Sequence, residues 1–137
     1  MARYVSEKMR RAVAERAGYI CEYCRLPQTN PLLKHHVEHI SSVKHGGETS
    51  LENLALACPA CNRNKGSDVS AFDPESANYT AFFNPRQDDW AEHFRILETG
   101  KIKPLTAEAR VTVKILRIND EARIEERREL MEAKIYE

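Results

Sequence analysis

No part of the 137-residue chain approaches the run of about 20 apolar residues that a bilayer-spanning helix needs. The first residues, MARYVSEKMRRAVAERAGYI, are too charged for a secretory signal, which makes the cytoplasm the expected location. Net charge is missing too: 21 Lys and Arg offset 21 Asp and Glu, so bulk charge gives no pull towards nucleic acid. Such bias as exists lies in its distribution, with ten basic against seven acidic residues over 1–70 and eleven against fourteen over 71–137. Internal repeats are absent. A chain of this length fits one domain with a modest core, which a metal would help to staple.

Cysteine is scarce but ordered. The four copies form two C-x2-C pairs, CEYC (Cys21, Cys24) and CPAC (Cys58, Cys61). In a reducing compartment structural disulfides are disfavoured, and four thiolates paired in this way suit a tetrahedral Zn2+. A redox dithiol fits less well, because neither pair opens a thioredoxin-like βαβ pattern. The gap between the pairs exceeds the usual ribbon spacing, so further structure is inserted there. LLKHHVEHI reads as a short strand with Val37 and Ile40 available to a core. KHGGETS is then a loop, since Gly46 and Gly47 tolerate backbone angles closed to other residues. LENLALAC returns as a second apolar strand. Pro59 suits the first turn of a helix through ACNRNK, and Gly66 suits its end. Crowded into the first strand are His35, His36, Glu38 and His39.

In that order, CEYC, VEHI, the double glycine, ENLALAC and CNRNKG resemble the HNH endonucleases of the ββα-metal fold, in their four-cysteine branch. The likeness covers residues 19–68. FNPRQDDWAEHF and LTAEARVTVKILRIN further resemble the C-terminal part of a common bacterial group in that family. The resemblance implies that His39 is the general base, that Glu38 is a metal ligand, and that Asn53 fixes the loop and holds the histidine in place. The third position is occupied by Asn62, as in H-N-N variants, and its amide oxygen can ligate a hard cation. The activity implied is metal-dependent hydrolysis of DNA, taken as double-stranded, with RNA as an alternative substrate. A competing reading is a catalytically silent zinc module that binds nucleic acid or protein.

The chemistry asks for the same groups. Phosphodiester hydrolysis requires an activated water, an electrophile facing the phosphate charge, and help for the departing oxygen. A neutral imidazole can accept the proton of the water, and its titration sets the expected acid limit of cleavage. Oxygen donors from Glu38 and Asn62 suit Mg2+ or Mn2+, whereas the thiolate cage suits Zn2+. Neighbouring side chains on a regular strand point to opposite faces, so Glu38 and His39 share a site only if the strand bends or ends there. His36 is expected on the face of Glu38, in reach of substrate or metal. An alternative register, with His35 and His36 as ligand and base, fits the distance to the glycines and the apolar Ile40 less well. Arg63 and Lys65 are expected phosphate contacts, with Lys44, Arg25 and His45 as outer candidates. Zero net charge points to weak intrinsic binding, aided by a partner protein or a homodimer.

Elsewhere the sequence speaks of architecture. Ser6 is a helix N-cap for EKMRRAVAER, with Gly18 as the stop, in a helix expected to pack under the zinc knuckle. Residues 67–85 read as an irregular link. WAEHFRILETGKIKPL suggests a hairpin across Thr99 and Gly100, although EHFRIL also suits a helix, and His93 reads as part of a packed element. Thr106 resembles an N-cap for a helix through AEARVTVKILRIN, and residues 120–134 read as a charged helix with an exposed Glu/Arg face. The expected fold is α+β: a zinc-stapled ββα-metal core over 1–70, bearing an N-terminal helix, and a mainly helical C-terminal extension over 71–137 packed on it.

Overall fold

The computed structural model describes residues 4–136. The architecture is α+β, with three two-stranded antiparallel sheets and five α-helices among the described residues.

Helix α1 (Glu7–Arg16) begins where the Ser6 hydroxyl accepts the Met9 N–H, so one of the orphan amides of the first turn is satisfied. Its apolar stripe does not lie under the cysteines. Val13, with Val5, Met9, Ala14 and Ala17, instead packs on Val37, Leu54 and Leu56 of the first hairpin. That hairpin joins β1 (His36–His39) to β2 (Leu54–Ala57), with Val37 opposite Leu56 and Glu38 opposite Ala55. Alternation divides β2 between two layers: Leu54 and Leu56 face α1, while Ala55 and Ala57 join the cluster around the cysteines. All four residues of β2 are buried, which is why LALA carries no polar face.

Helix α2 (Pro59–Lys65) follows at once, with Cys58 as its N-cap and Pro59 in its first turn. The segment read as an irregular link holds a hairpin instead, β3 (Ser70–Asp73) with β4 (Asn78–Ala81). Phe72 and Tyr79 stand opposite each other across it, and the Asp73-Pro74 pair that suggested irregularity makes its turn. Both readings of EHFRIL hold in part. A single turn, α3 (Trp90–His93), gives way to β5 (Phe94–Ile96), which pairs with β6 (Ile102–Pro104) across Thr99 and Gly100. His93 is half-buried against Phe83 and Phe94.

Helix α4 (Ala107–Ile115) starts at a Thr106 hydroxyl cap and stops short of LRIN, where Arg117 takes a positive φ of 55°. Helix α5 (Glu121–Glu132) follows from Asp120. Its polar residues are not all solvated. Arg127 is 1 % exposed and donates to the carbonyls of Gly100 and Ile118, which offsets the cost of burying its charge. One buried cluster takes Cys21, Tyr23, Ala55, Ala57 and Cys58 from one side of position 70 and Phe82, Phe94, Ile102, Val111 and Ile118 from the other.

Candidate functional site

The two cysteine pairs close on each other by local backbone geometry. After Ile20, the chain turns so that the Cys24 N–H points at Cys21 Sγ, 3.5 Å away, and Arg25 completes the knuckle with a positive φ of 69°. At the N-terminus of α2 the Cys61 N–H points at Cys58 Sγ in the same manner, at 3.4 Å. All four thiols are free and buried, and their sulfurs lie within 4.8 Å of one another. Cys24 and Cys58, from different knuckles, are 3.7 Å apart at sulfur. Tetrahedral zinc with Zn–S bonds of about 2.3 Å would set its sulfurs about 3.8 Å apart, so the cage fits the ion. Burial pushes Cys21 and Cys61 up, while hydrogen bonds between the thiols hold Cys24 and Cys58 down. A divalent cation removes that conflict by stabilising all four as thiolates.

Next to this staple lies an open cleft of about 420 Å³, lined by Val37, Glu38, His39, Ser42, Val43, Lys44, Asn62, Gly66 and Ser67. Glu38, His39 and Asn62, predicted from sequence to share a site, do share one wall. Regular alternation would keep Glu38 and His39 apart, but β1 ends at His39, and the chain turns through Ile40 and Ser41. Asn53 holds that turn and the glycine loop together. Its Oδ1 accepts the Ser41 N–H at 2.9 Å, and its Nδ2 donates to the carbonyls of Ser41 at 2.9 Å and Glu48 at 2.8 Å. Gly47 is enclosed by the same contacts: a Cβ there would run into the Ser41 carbonyl and come within 2.8 Å of Asn53 Nδ2. Asn53 is not part of the cleft wall.

His39 Nε2 lies 2.8 Å from the Thr49 hydroxyl across the loop. Burial, and secondarily the nearby Lys65 ammonium, holds the imidazole pKa below its ordinary value, so the ring is neutral at physiological pH. Glu38 is 8 % exposed, and burial pushes its carboxyl up to about 7 against the pull of two partners. One is the Tyr23 hydroxyl, 3.3 Å from Oε2; the other is the Lys65 ammonium, 3.4 Å from the same oxygen. Among the described residues nothing engages Oε1, and no side-chain partner holds the Asn62 amide. The carboxylate of Glu38 and the amide oxygen of Asn62 form a donor pair that suits a hard divalent cation.

Lys65 corrects the sequence reading. It was expected on a phosphate-facing surface, but it is 2 % exposed and points inward, donating to the carbonyls of His39 at 3.3 Å and Ile40 at 2.8 Å as well as pairing with Glu38. A buried ammonium must be paired, and the end of β1 supplies its partners. Arg63 is exposed on α2 as expected. His36 is exposed at the far end of β1 and does not line the cleft. Lys44, an outer candidate, is exposed on the cleft rim, whereas Arg25 lies 5.0 Å over the Trp90 ring. His45 is exposed beside the glycines.

Sequence reasoning missed two residues near these centres. Tyr23 sits inside the first knuckle and reaches Glu38; an aromatic between two paired cysteines is the only local sign of it. Arg123 of α5 donates to Cys61 Sγ at 3.0 Å and approaches Cys58 Sγ at 3.6 Å, and nothing in the Glu/Arg-rich pattern announces that. Among the described residues, no helix is long and apolar enough to cross a membrane.

A protein-family model described as HNH endonuclease matches residues 21–68, from the first cysteine to just beyond α2. No curated protein matches the chain. The match spans both knuckles, the β1–β2 hairpin and α2, so residues 21–68, with their four cysteines placed to bind a metal, are similar to the HNH endonucleases.

Proposed function

We propose that the protein is a metal-dependent endonuclease that hydrolyses phosphodiester bonds in double-stranded DNA, with His39 as general base. The observation that carries this reading is the convergence of Glu38, neutral His39 and the unpartnered Asn62 amide on one open cleft. In the tautomer whose Nε2–H donates to the Thr49 hydroxyl, Nδ1 keeps its lone pair for the proton of an attacking water. Asn53 acts as a positioning residue, because it fixes the turn that carries His39 out of the strand. A Mg2+ or Mn2+ held by Glu38 and Asn62 would neutralise charge on the scissile phosphate and the departing oxygen. Tyr23 and Lys65 keep the Glu38 carboxylate oriented towards the cleft. Zn2+ on Cys21, Cys24, Cys58 and Cys61 belongs to the fold rather than to the reaction. Arg63 and Lys44, both exposed, pair with backbone phosphates. Zero net charge implies weak binding unless a second copy or a partner protein assists.

The test is cleavage of plasmid DNA, with a duplex RNA in parallel, by purified protein in Mg2+ or Mn2+. His39→Ala is expected to lose about 10²–10⁴-fold in rate while retaining fold and zinc. Arg63→Ala and Lys44→Ala should weaken DNA binding and each flatten its salt dependence by a slope of about 0.9. Full activity of a folded His39→Ala protein would refute the general-base role. Absence of cleavage with every metal would favour the silent binding module, the reading that the Lys65–Glu38 pair supports by already giving the carboxylate a cation.

A further inference from the structure

The cysteine cage is not enclosed by residues 21–68 alone. Arg123 enters it from α5, with Nη2 3.0 Å from Cys61 Sγ and 3.6 Å from Cys58 Sγ. Its other terminal nitrogen, Nη1, donates to the Leu116 carbonyl at 2.7 Å, an oxygen that also accepts from Asn64 of α2 at 2.9 Å. The guanidinium is thus fixed between the second knuckle and the turn after α4. A divalent ion on four thiolates leaves a centre with two net negative charges in a buried setting, where uncompensated charge is costly. Among the described residues Arg123 is the one cation that donates to these sulfurs. It also stands at the way in. A cleft of about 240 Å³, lined on one side by Leu26, Pro27 and Leu33, reaches Cys58 and Pro59, and Arg123 forms part of its wall.

Resting on the four-cysteine zinc reading, we propose that Arg123 is the counter-cation of the thiolate centre: it withdraws electron density from Cys58 and Cys61, shields them from electrophiles entering by that cleft, and so makes the C-terminal helix govern how long the metal is held. An N–H donated to a metal-bound thiolate lowers the energy of the sulfur lone pair, which weakens its nucleophilicity and raises the energy of sulfur-to-metal charge transfer. Contacts of this outer kind typically change metal affinity by about 10–100-fold.

The experiment uses the full chain as wild type, Arg123→Met and Arg123→Lys, each with cobalt in place of zinc for spectroscopy and with zinc for kinetics. Wild type should show the absorption of tetrahedral Co2+ on four thiolates; its absence would overturn the cage reading and this inference with it, whatever the nuclease assay shows. In Arg123→Met the sulfur-to-cobalt charge-transfer band should move to longer wavelength, a change that mere loosening of α5 would not produce. Zinc release to a chromogenic chelator under N-ethylmaleimide should accelerate at least about ten-fold, with Cys58 and Cys61 alkylated first by mass mapping. Arg123→Lys should recover part of both effects. If Arg123→Met does not fold, a shifted band and faster release in Arg123→Lys still support the inference. Unchanged band position and release rate in the folded variants would overturn it.

Discussion

At the scale of single residues, the Glu38–Lys65 pair governs how the cleft responds to pH. Burial raises the Glu38 carboxyl to about 7, and burial with the Lys65 ammonium lowers His39 below its ordinary value. The signs work together. As pH falls through about 7, Glu38 gains a proton and loses the charge with which, in the proposed mechanism, it would hold a cation, while burial and the Lys65 ammonium favour the neutral form of His39. Protonation of Glu38 is therefore expected to join the His39 titration in setting the acid limb of cleavage. Mn2+ affinity measured by calorimetry is predicted to fall by about ten-fold per pH unit below 7, as expected for loss of one required proton-free ligand. In Glu38→Gln the affinity should be weak at every pH. A wild-type affinity that stays flat between about pH 6 and 8 would remove Glu38 from the ligand set.

At the scale of elements, the β1–β2 connection carries the site. Its turn places His39 beside Glu38, and its conformation depends on three hydrogen bonds from one amide together with the close approach of Gly47 to Ser41. Asn53→Ala should cost about 1–3 kcal/mol in denaturant unfolding, since it leaves backbone groups of Ser41 and Glu48 without that partner. Gly47→Ala forces the loop to move, because its clash is with backbone rather than a flexible side chain. The expected result is a near-normal far-UV spectrum, retained zinc and severe loss of cleavage. Wild-type cleavage by Gly47→Ala would show that the loop position is immaterial.

At the scale of the whole molecule, the buried cluster around the four cysteines ties the C-terminal half of the chain to the first knuckle. Tyr136 donates to the Cys24 carbonyl at 2.6 Å, Trp90 donates to the Tyr23 carbonyl at 2.8 Å, and Arg110 grips Asp73 with two nitrogens at 2.9 and 3.2 Å. Structural zinc contributes about 10–16 kcal/mol in small sites, which matches or exceeds the whole stability of about 5–15 kcal/mol of an ordinary domain. Incubation with a strong chelator should therefore collapse the cooperative thermal transition, and zinc added back should restore it; Cys24→Ala and Cys58→Ala should aggregate. A metal-free protein that melts cooperatively at an unchanged temperature would contradict this.

What the sequence determined by itself is the chemistry of near neighbours. The two C-x2-C pairs, the Ser6 and Thr106 caps, Pro59 at the start of α2 and the double glycine act through backbone groups a few residues away, and the structure shows each acting there. The division of LALA between two layers followed from its lack of any polar position. The inward turn of Lys65, the reach of Tyr23 to Glu38, the Thr49–His39 contact and the Arg123–thiolate contact were decided only by tertiary structure. Pattern reading sends charged side chains to water because burial without a partner is costly. Whether a partner exists depends on groups 10 to 62 residues away in sequence, which are brought together only by the packed fold.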